Sequence, residues 1–203
     1  MYSIKAEVKE ETIIKHSRFI SFAKPVFDKK SAEDYLKAVK TAHPDANHHC
    51  FAYIIGEDAL LQKAEDDGEP SKTAGMPILE TLKKNSMTNI IVIVVRYFGG
   101  IKLGAGGLIR AYGKGASLAL EKATKTMPKT LMKIRITVPF DLIGTIEHEL
   151  EGLVDTVERS YDASAHFTVT LEENVVKDLK ESLREKTSAK AQIETVESFI
   201  KYL

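Results

Sequence analysis

A single cysteine, Cys50, leaves this chain without an internal disulfide framework or a zinc site built from several thiolates. Long apolar runs are also missing: the longest, Ile90 to Val95, is strand length and far short of a bilayer span. Met1-Tyr2-Ser3-Ile4-Lys5-Ala6-Glu7 contains no apolar core of a secretory signal. Neither a Gly-x-Ser-x-Gly elbow nor a His-Glu-x-x-His helix occurs, so hydrolase and zinc-protease readings have no motif behind them. No internal repeat or low-complexity stretch is present. Together these absences predict a soluble cytoplasmic protein with no membrane partner. At 203 residues, with 43% hydrophobic and 29% charged, the chain suits one large or two small globular domains.

Net charge is zero, but unevenly spread. Residues 1–127 carry 19 Lys+Arg against 15 Asp+Glu, and residues 128–203 carry 10 against 14. The asymmetry is compatible with nucleic-acid contact by the first part, although dedicated binders are usually more basic.

The expected organisation is α+β in two domains, 1–127 and 128–203, with a boundary near Pro128. In the first, the pattern predicts strands at Ile4–Val8, Thr12–Ile14 and Arg18–Val26. An amphipathic helix over Lys30–Thr41 is entered through Ser31. Paired strands follow at His49–Ile55 and Leu60–Lys63, then a helix at Pro77–Asn85, a buried strand at Ile90–Tyr97 and a long helix at Leu108–Thr126. In the second, strand Leu131–Val138 leads to helix Asp141–Glu151, with Asp141 as N-cap. Strands Val154–Tyr161 and Ala165–Leu171, helix Glu173–Lys186 and strand Gln192–Ile200 complete a βαββαβ order, the ferredoxin-like unit.

Seven of the 12 glycines fall between Gly99 and Gly115. Such crowding calls for positive φ, close packing or a ligand approaching the main chain. Here it meets a helix start, whose unpaired N–H groups and dipole attract anions. Gly107 to Gly113-Lys114 has five intervening residues and Gly115 follows the lysine, so this is not a Walker A loop. Ile109 stands where the third glycine of a dinucleotide fingerprint belongs. The candidate phosphate or nucleic-acid contacts are Arg96, Gly99, Gly100, Lys102, Gly104, Gly106, Gly107, Arg110 and Lys114, the basic members converging near the helix start. The competing reading is that the small face of Gly113, Gly115, Ala116 and Ala119 only lets the helix lie close to a sheet.

A second cluster is the acidic turn Asp66, Asp67, Gly68, Glu69 and Pro70. Three readings stand: a solvated turn made by Asp-Gly and Glu-Pro chemistry, a carboxylate site for Mg²⁺ or Ca²⁺, or acids that pair with the basic set and shape a groove. His48-His49-Cys50 lies in a strand with His48 and Cys50 on one face and His49 on the other. A buried cysteine and one solvent-facing histidine are expected there, in preference to a metal site or a thiol nucleophile.

The segments Asp66-Asp67-Gly68-Glu69-Pro70-Ser71-Lys72-Thr73-Ala74-Gly75-Met76-Pro77 and Val95-Arg96-Tyr97-Phe98-Gly99-Gly100-Ile101-Lys102-Leu103-Gly104-Ala105-Gly106-Gly107-Leu108-Ile109-Arg110-Ala111-Tyr112 resemble the two signatures of the IMPACT/YigZ family. The resemblance extends over the whole chain. It implies a first domain similar to domain IV of elongation factor G, within the ribosomal-protein-like βαβ superfamily, and a second similar to domain V of that factor. It further implies contact with RNA or the ribosome, a regulatory role in translation, and a protein partner related to translation factors. Small-molecule kinases share the first superfamily, but their serine-rich phosphate loop is absent here. Binding without catalysis, cofactor or metal is therefore the expectation. The alternatives are an enzyme on a small phosphorylated or nucleotide substrate, with a divalent metal on Asp66, Asp67 and Glu69, and a module for protein interaction only.

Overall fold

The structure, a computed structural model, describes residues 1–154 and 156–203. The chain divides into two compact units, Met1–Met127 and Pro128–Leu203. Among the described residues, no helix is long and apolar enough to cross a membrane.

The first unit runs β1 (Ser3–Ile4), β2 (Val8–Ile14), β3 (Ser17–Pro25), α1 (Lys29–Ala42), β4 (His48–Ile55), β5 (Leu61–Glu65), α2 (Gly75–Lys84), β6 (Ile90–Tyr97), α3 (Ala105–Lys122) and β7 (Lys125–Thr126). Five strands form one antiparallel sheet in the order β2-β3-β6-β4-β5. The central strand explains its own sequence. Ile90, Val92 and Val94 pack against Ile78, Leu79 and Leu82 of α2 and Leu108, Tyr112 and Ala116 of α3. Ile91, Ile93 and Val95 pack on the opposite face with Ala32, Tyr35 and Val39 of α1. A strand covered on both faces reads as unbroken apolar sequence, because neither side meets water.

Several boundaries differ from expectation. Val8–Ile14 is one continuous strand paired with Ser17–Ala23, where two short ones were expected. Helix α1 is capped by Asp28, whose Oδ1 accepts the Ser31 N–H at 2.7 Å, so Ser31 is the capped residue. Helix α3 starts three residues before Leu108 and stops at Lys122. Lys125 and Thr126 turn extended and pair with Ile4 and Ser3, a long-range contact that local propensity cannot anticipate.

The second unit comprises β8 (Pro128–Val138), a short 3-10 turn at Phe140–Leu142, α4 (Ile143–Leu150), β9 (Glu158–Tyr161), β10 (Ala165–Glu172), α5 (Glu173–Lys186) and β11 (Gln192–Tyr202). The sheet order is β11-β8-β10-β9, all antiparallel, which is the arrangement of the split βαβ unit. Phe167, Val169 and Leu171 are buried while His166, Thr168 and Thr170 face outward, as the period-two alternation predicts. Asp141 is not the N-cap: it sits within the 3-10 turn, and no side chain among the described residues caps α4. The expected strand at Val154–Tyr161 is regular only from Glu158, and Asp155 lies outside the described residues.

Candidate functional site

The acidic turn is not a solvated loop. Asp66 Oδ1 accepts the N–H groups of Ala74 at 3.0 Å and Gly75 at 2.8 Å, and Oδ2 accepts that of Lys72 at 2.6 Å. It therefore satisfies donors at the start of α2 that the helix itself leaves open. Asp67 bonds Lys40 Nζ at 2.8 Å and the His49 N–H at 2.7 Å. Partial burial raises the pKa of Asp67, but the Lys40 ammonium and the His49 N–H outweigh it and hold the carboxyl below its usual value.

Glu69 goes furthest inside, with its side chain 3% exposed. Its Oε1 accepts from Arg96 Nη1 at 2.6 Å and from Tyr112 Oη at 2.7 Å, and His48 Nε2 lies 3.8 Å away. Of the three readings of the turn, pairing with the basic set is the one these contacts match. Among the described residues, no three His, Cys, Asp or Glu side chains gather as metal ligands, since each of these carboxylates is already engaged elsewhere.

Arg96 is likewise buried, its side chain 6% exposed. It continues the Ile90, Val92, Val94 face of β6, and this periodicity could have revealed its inward direction. Its guanidinium lies 5.5 Å from the ring centres of Phe19 and Phe98, Nη2 reaches Ser17 Oγ at 3.4 Å, and Nε has no partner among the described residues. Arg96 thus does not offer a free surface charge, as a simple phosphate contact would.

Cys50 is buried behind this cluster, with Sγ 3.0 Å from the Asp66 carbonyl. Burial pushes its thiol up to about 12; a hydrogen bond with Tyr112 opposes this, and the nearby Glu69, Asp67 and Asp66 carboxylates reinforce it. That is the reverse of an activated nucleophile. Burial, followed by the Cys50 and Glu69 neighbours, also raises the Tyr112 phenol. His49, expected to face solvent, is 8% exposed, with Nε2 3.0 Å from the His43 carbonyl. Tyr112, His48 and Lys40 were not anticipated as partners of the acidic turn. Their spacing carries no local signal, because only the packing of α1, the sheet and α3 brings them together.

The glycines divide by role. A Cβ on Gly99 would stand 2.0 Å from the His16 carbonyl carbon, and one on Gly115 would stand 2.6 Å from Ser21 Oγ, so both permit close approach. Close packing therefore does account for part of the small-residue face. Gly100 and Gly104 hold φ of +84° and +72° in open space. Gly106 and Gly107 lie inside the first turn of α3, not before it, and no side chain among the described residues caps that turn. At Gly106 the nearest atom to a new Cβ is Arg110 Nη1, at 3.7 Å. Beside this turn lies a cavity of about 380 Å³ lined by Glu69, Arg96, Phe98, Lys102, Gly104 and Ala105, among others. Lys102 and Arg110 are exposed. Lys114 is exposed too, but it sits roughly 13 Å along α3 at 1.5 Å per residue and does not converge on the start.

The model of the Impact N-terminal domain matches residues 15–120, and that of a domain of unknown function, DUF1949, matches residues 136–190. The chain is 39% identical over 193 residues to IMPACT family member YvyE of Bacillus subtilis, covering 95% of this chain and 89% of that protein. It is 34% identical over 188 residues to IMPACT family member YigZ of Escherichia coli, covering 91% and 92%. A solved crystal structure of a hypothetical protein superposes with a TM-score of 0.62 at 32% identity, covering 97% of both chains.

Proposed function

The chain belongs to the IMPACT family, and from that premise we propose that it binds RNA or the ribosome through phosphate contacts at the start of α3, with a regulatory role in translation. The observation that carries this reading is the solvent-exposed first turn of an 18-residue helix, with no side-chain cap among the described residues, beside a cavity that the exposed Lys102 also lines. Free N–H groups and the helix dipole favour an anion there. Lys102 and Arg110 add exposed positive charge, and Phe98, 47% exposed, adds a ring on which a base can stack.

Two further points go with this reading. The second unit has the sheet order expected of a counterpart to domain V of elongation factor G, and the first is its proposed domain IV counterpart. A cytoplasmic location and a translation-factor-related protein partner complete the proposal. An enzyme that uses a metal on Asp66, Asp67 and Glu69 is disfavoured, because those carboxylates are bound to backbone N–H groups, Lys40, Arg96 and Tyr112.

The test is co-sedimentation with ribosomes, together with RNA and DNA binding, each at two salt concentrations. Phosphate contacts predict affinity that falls steeply with salt. An absence of salt-sensitive association with ribosomes, RNA and DNA alike overturns the proposal.

A further inference from the structure

We infer that β11 pairs edge to edge with the β11 of a second copy of this chain, joining the two sheets into one around a twofold axis at Ser198. The inference is independent of the phosphate-binding reading above.

β11 ends the sheet order β11-β8-β10-β9. Among the described residues, no strand and no backbone group pairs with its outer edge between Gln192 and Lys201. At 11 residues it far exceeds β9, the 4-residue strand at the other edge of the same sheet. It contains no proline, and only Ile193, Phe199 and Tyr202 are half-buried. The rest is exposed, including Val196 at 53% and Ile200 at 43%. A long strand edge with open N–H and C=O groups is a template for one more strand.

The charges on β11 select which strand. In the pairing with β8, Glu194 stands opposite Arg135, Glu197 opposite Lys133 and Lys201 opposite Lys129. These β8 residues share the face turned away from the core residues Ile134, Ile136 and Val138. Glu194 and Lys201 are an odd number of residues apart and would ordinarily face opposite ways. The bulge between Thr195 and Glu197 inserts one residue and brings both to the same face. Neither they nor Glu197 make an ion pair among the described residues, because Lys133 turns to Glu158 and Lys129 to Glu172. Lys201 is left beside Lys129, a like charge, which an added carboxylate would offset.

A second β11 supplies that carboxylate. Two identical antiparallel strands make every contact twice, once on each side of the axis. With the axis at Ser198 and the bulge counted as one position, Lys201 of each copy lies opposite Glu194 of the other. Thr195 then meets Ile200, and Ile193 meets Tyr202. The neighbouring registers that keep the faces matched are worse. A slip one way sets Glu197 against Glu197, a like-charge contact. A slip the other way shortens the ladder and leaves Glu194 unpaired. The mixed signs along this edge therefore fit a second copy in one register.

The experiment is sedimentation equilibrium of the full chain at concentrations up to about 1 mM, where the mass should rise towards that of a dimer. Glu194→Lys and Lys201→Glu each set like charges together at both symmetric contacts, and each should weaken the dimer about tenfold. The two changes combined exchange the signs and should restore it. Both positions are exposed, so the variants are expected to fold. Ser198→Cys places two thiols directly across the axis and should cross-link under mild oxidation. The unaltered chain, whose Cys50 is buried, should not. A monomer mass throughout overturns the inference. So does a dimer that ignores the single charge changes or fails to cross-link through Ser198→Cys, since it forms through another surface.

Discussion

Arg96 Nη1 donates to Glu69 Oε1 at 2.6 Å, and this contact joins the two signature segments across 27 residues of sequence. Both side chains are almost fully buried, so neither charge is tolerable without the other. Glu69→Ala is expected to cost about 3–5 kcal/mol by leaving the guanidinium unpaired. Combining it with Arg96→Met should cost less than the single change, because no isolated charge remains. Urea unfolding of the single and double variants measures this, and a double variant as unstable as the two losses summed would contradict it.

Asp66 bonds three backbone N–H groups around the start of α2. Asp66→Ala should cost roughly 2 kcal/mol, the upper range for a lost helix cap. Amide exchange in Gly75–Lys84 should accelerate before that of β6. Unchanged protection of α2 would sink this account.

Glycines of the same segment should respond oppositely to alanine. At Gly99 the His16 backbone leaves no room, so Gly99→Ala should destabilise by about 1–3 kcal/mol through overpacking. At Gly106 the space is open and the position helical, so Gly106→Ala should stabilise by about 0.5–1 kcal/mol. If phosphate uses that first turn, the same Gly106→Ala chain should bind RNA more weakly while melting at a higher temperature. Thermal melts and binding titrations on the two variants separate the effects.

Cys50 should react slowly with thiol reagents at pH 8 in the native chain and rapidly once unfolded, as its pKa is pushed up to about 12 by burial. The linkage has a definite sign. The unfolded thiol ionises near 9.0, whereas the native thiol stays protonated to about 12. Stability from this group is therefore complete below pH 9 and declines as pH rises towards 12. Cys50→Ser should flatten that alkaline decline in a pH series of melts.

Lys102→Ala and Arg110→Ala should each weaken RNA binding across sequences and reduce the salt slope by about 1. Lys114→Ala should leave both unchanged, since its position along α3 removes it from the helix start. Equal losses at all three positions would point to a diffuse basic surface in place of a site at the first turn.

Much of the architecture was legible from periodicity alone. The βαββαβ order of the second unit follows from alternation such as Phe167, Val169 and Leu171 and from helical spacing such as Val176, Leu179 and Leu183, because each element there buries one face. The run Ile90–Val95 announced a strand covered on both sides, and the glycine crowd announced a helix start. Local sequence could not say that Glu69 leaves its turn to meet Arg96, or that Tyr112 and Cys50 complete the cluster. Those depend on the antiparallel pairing of β4 with β6 and on α3 lying close enough, at Gly115, for its tyrosine to reach the acidic turn. The sequence by itself determined which elements form and where charge and glycine concentrate. Tertiary structure alone decided which charges are neutralised in the interior and which stay exposed, because burial and pairing arise between segments distant in the chain.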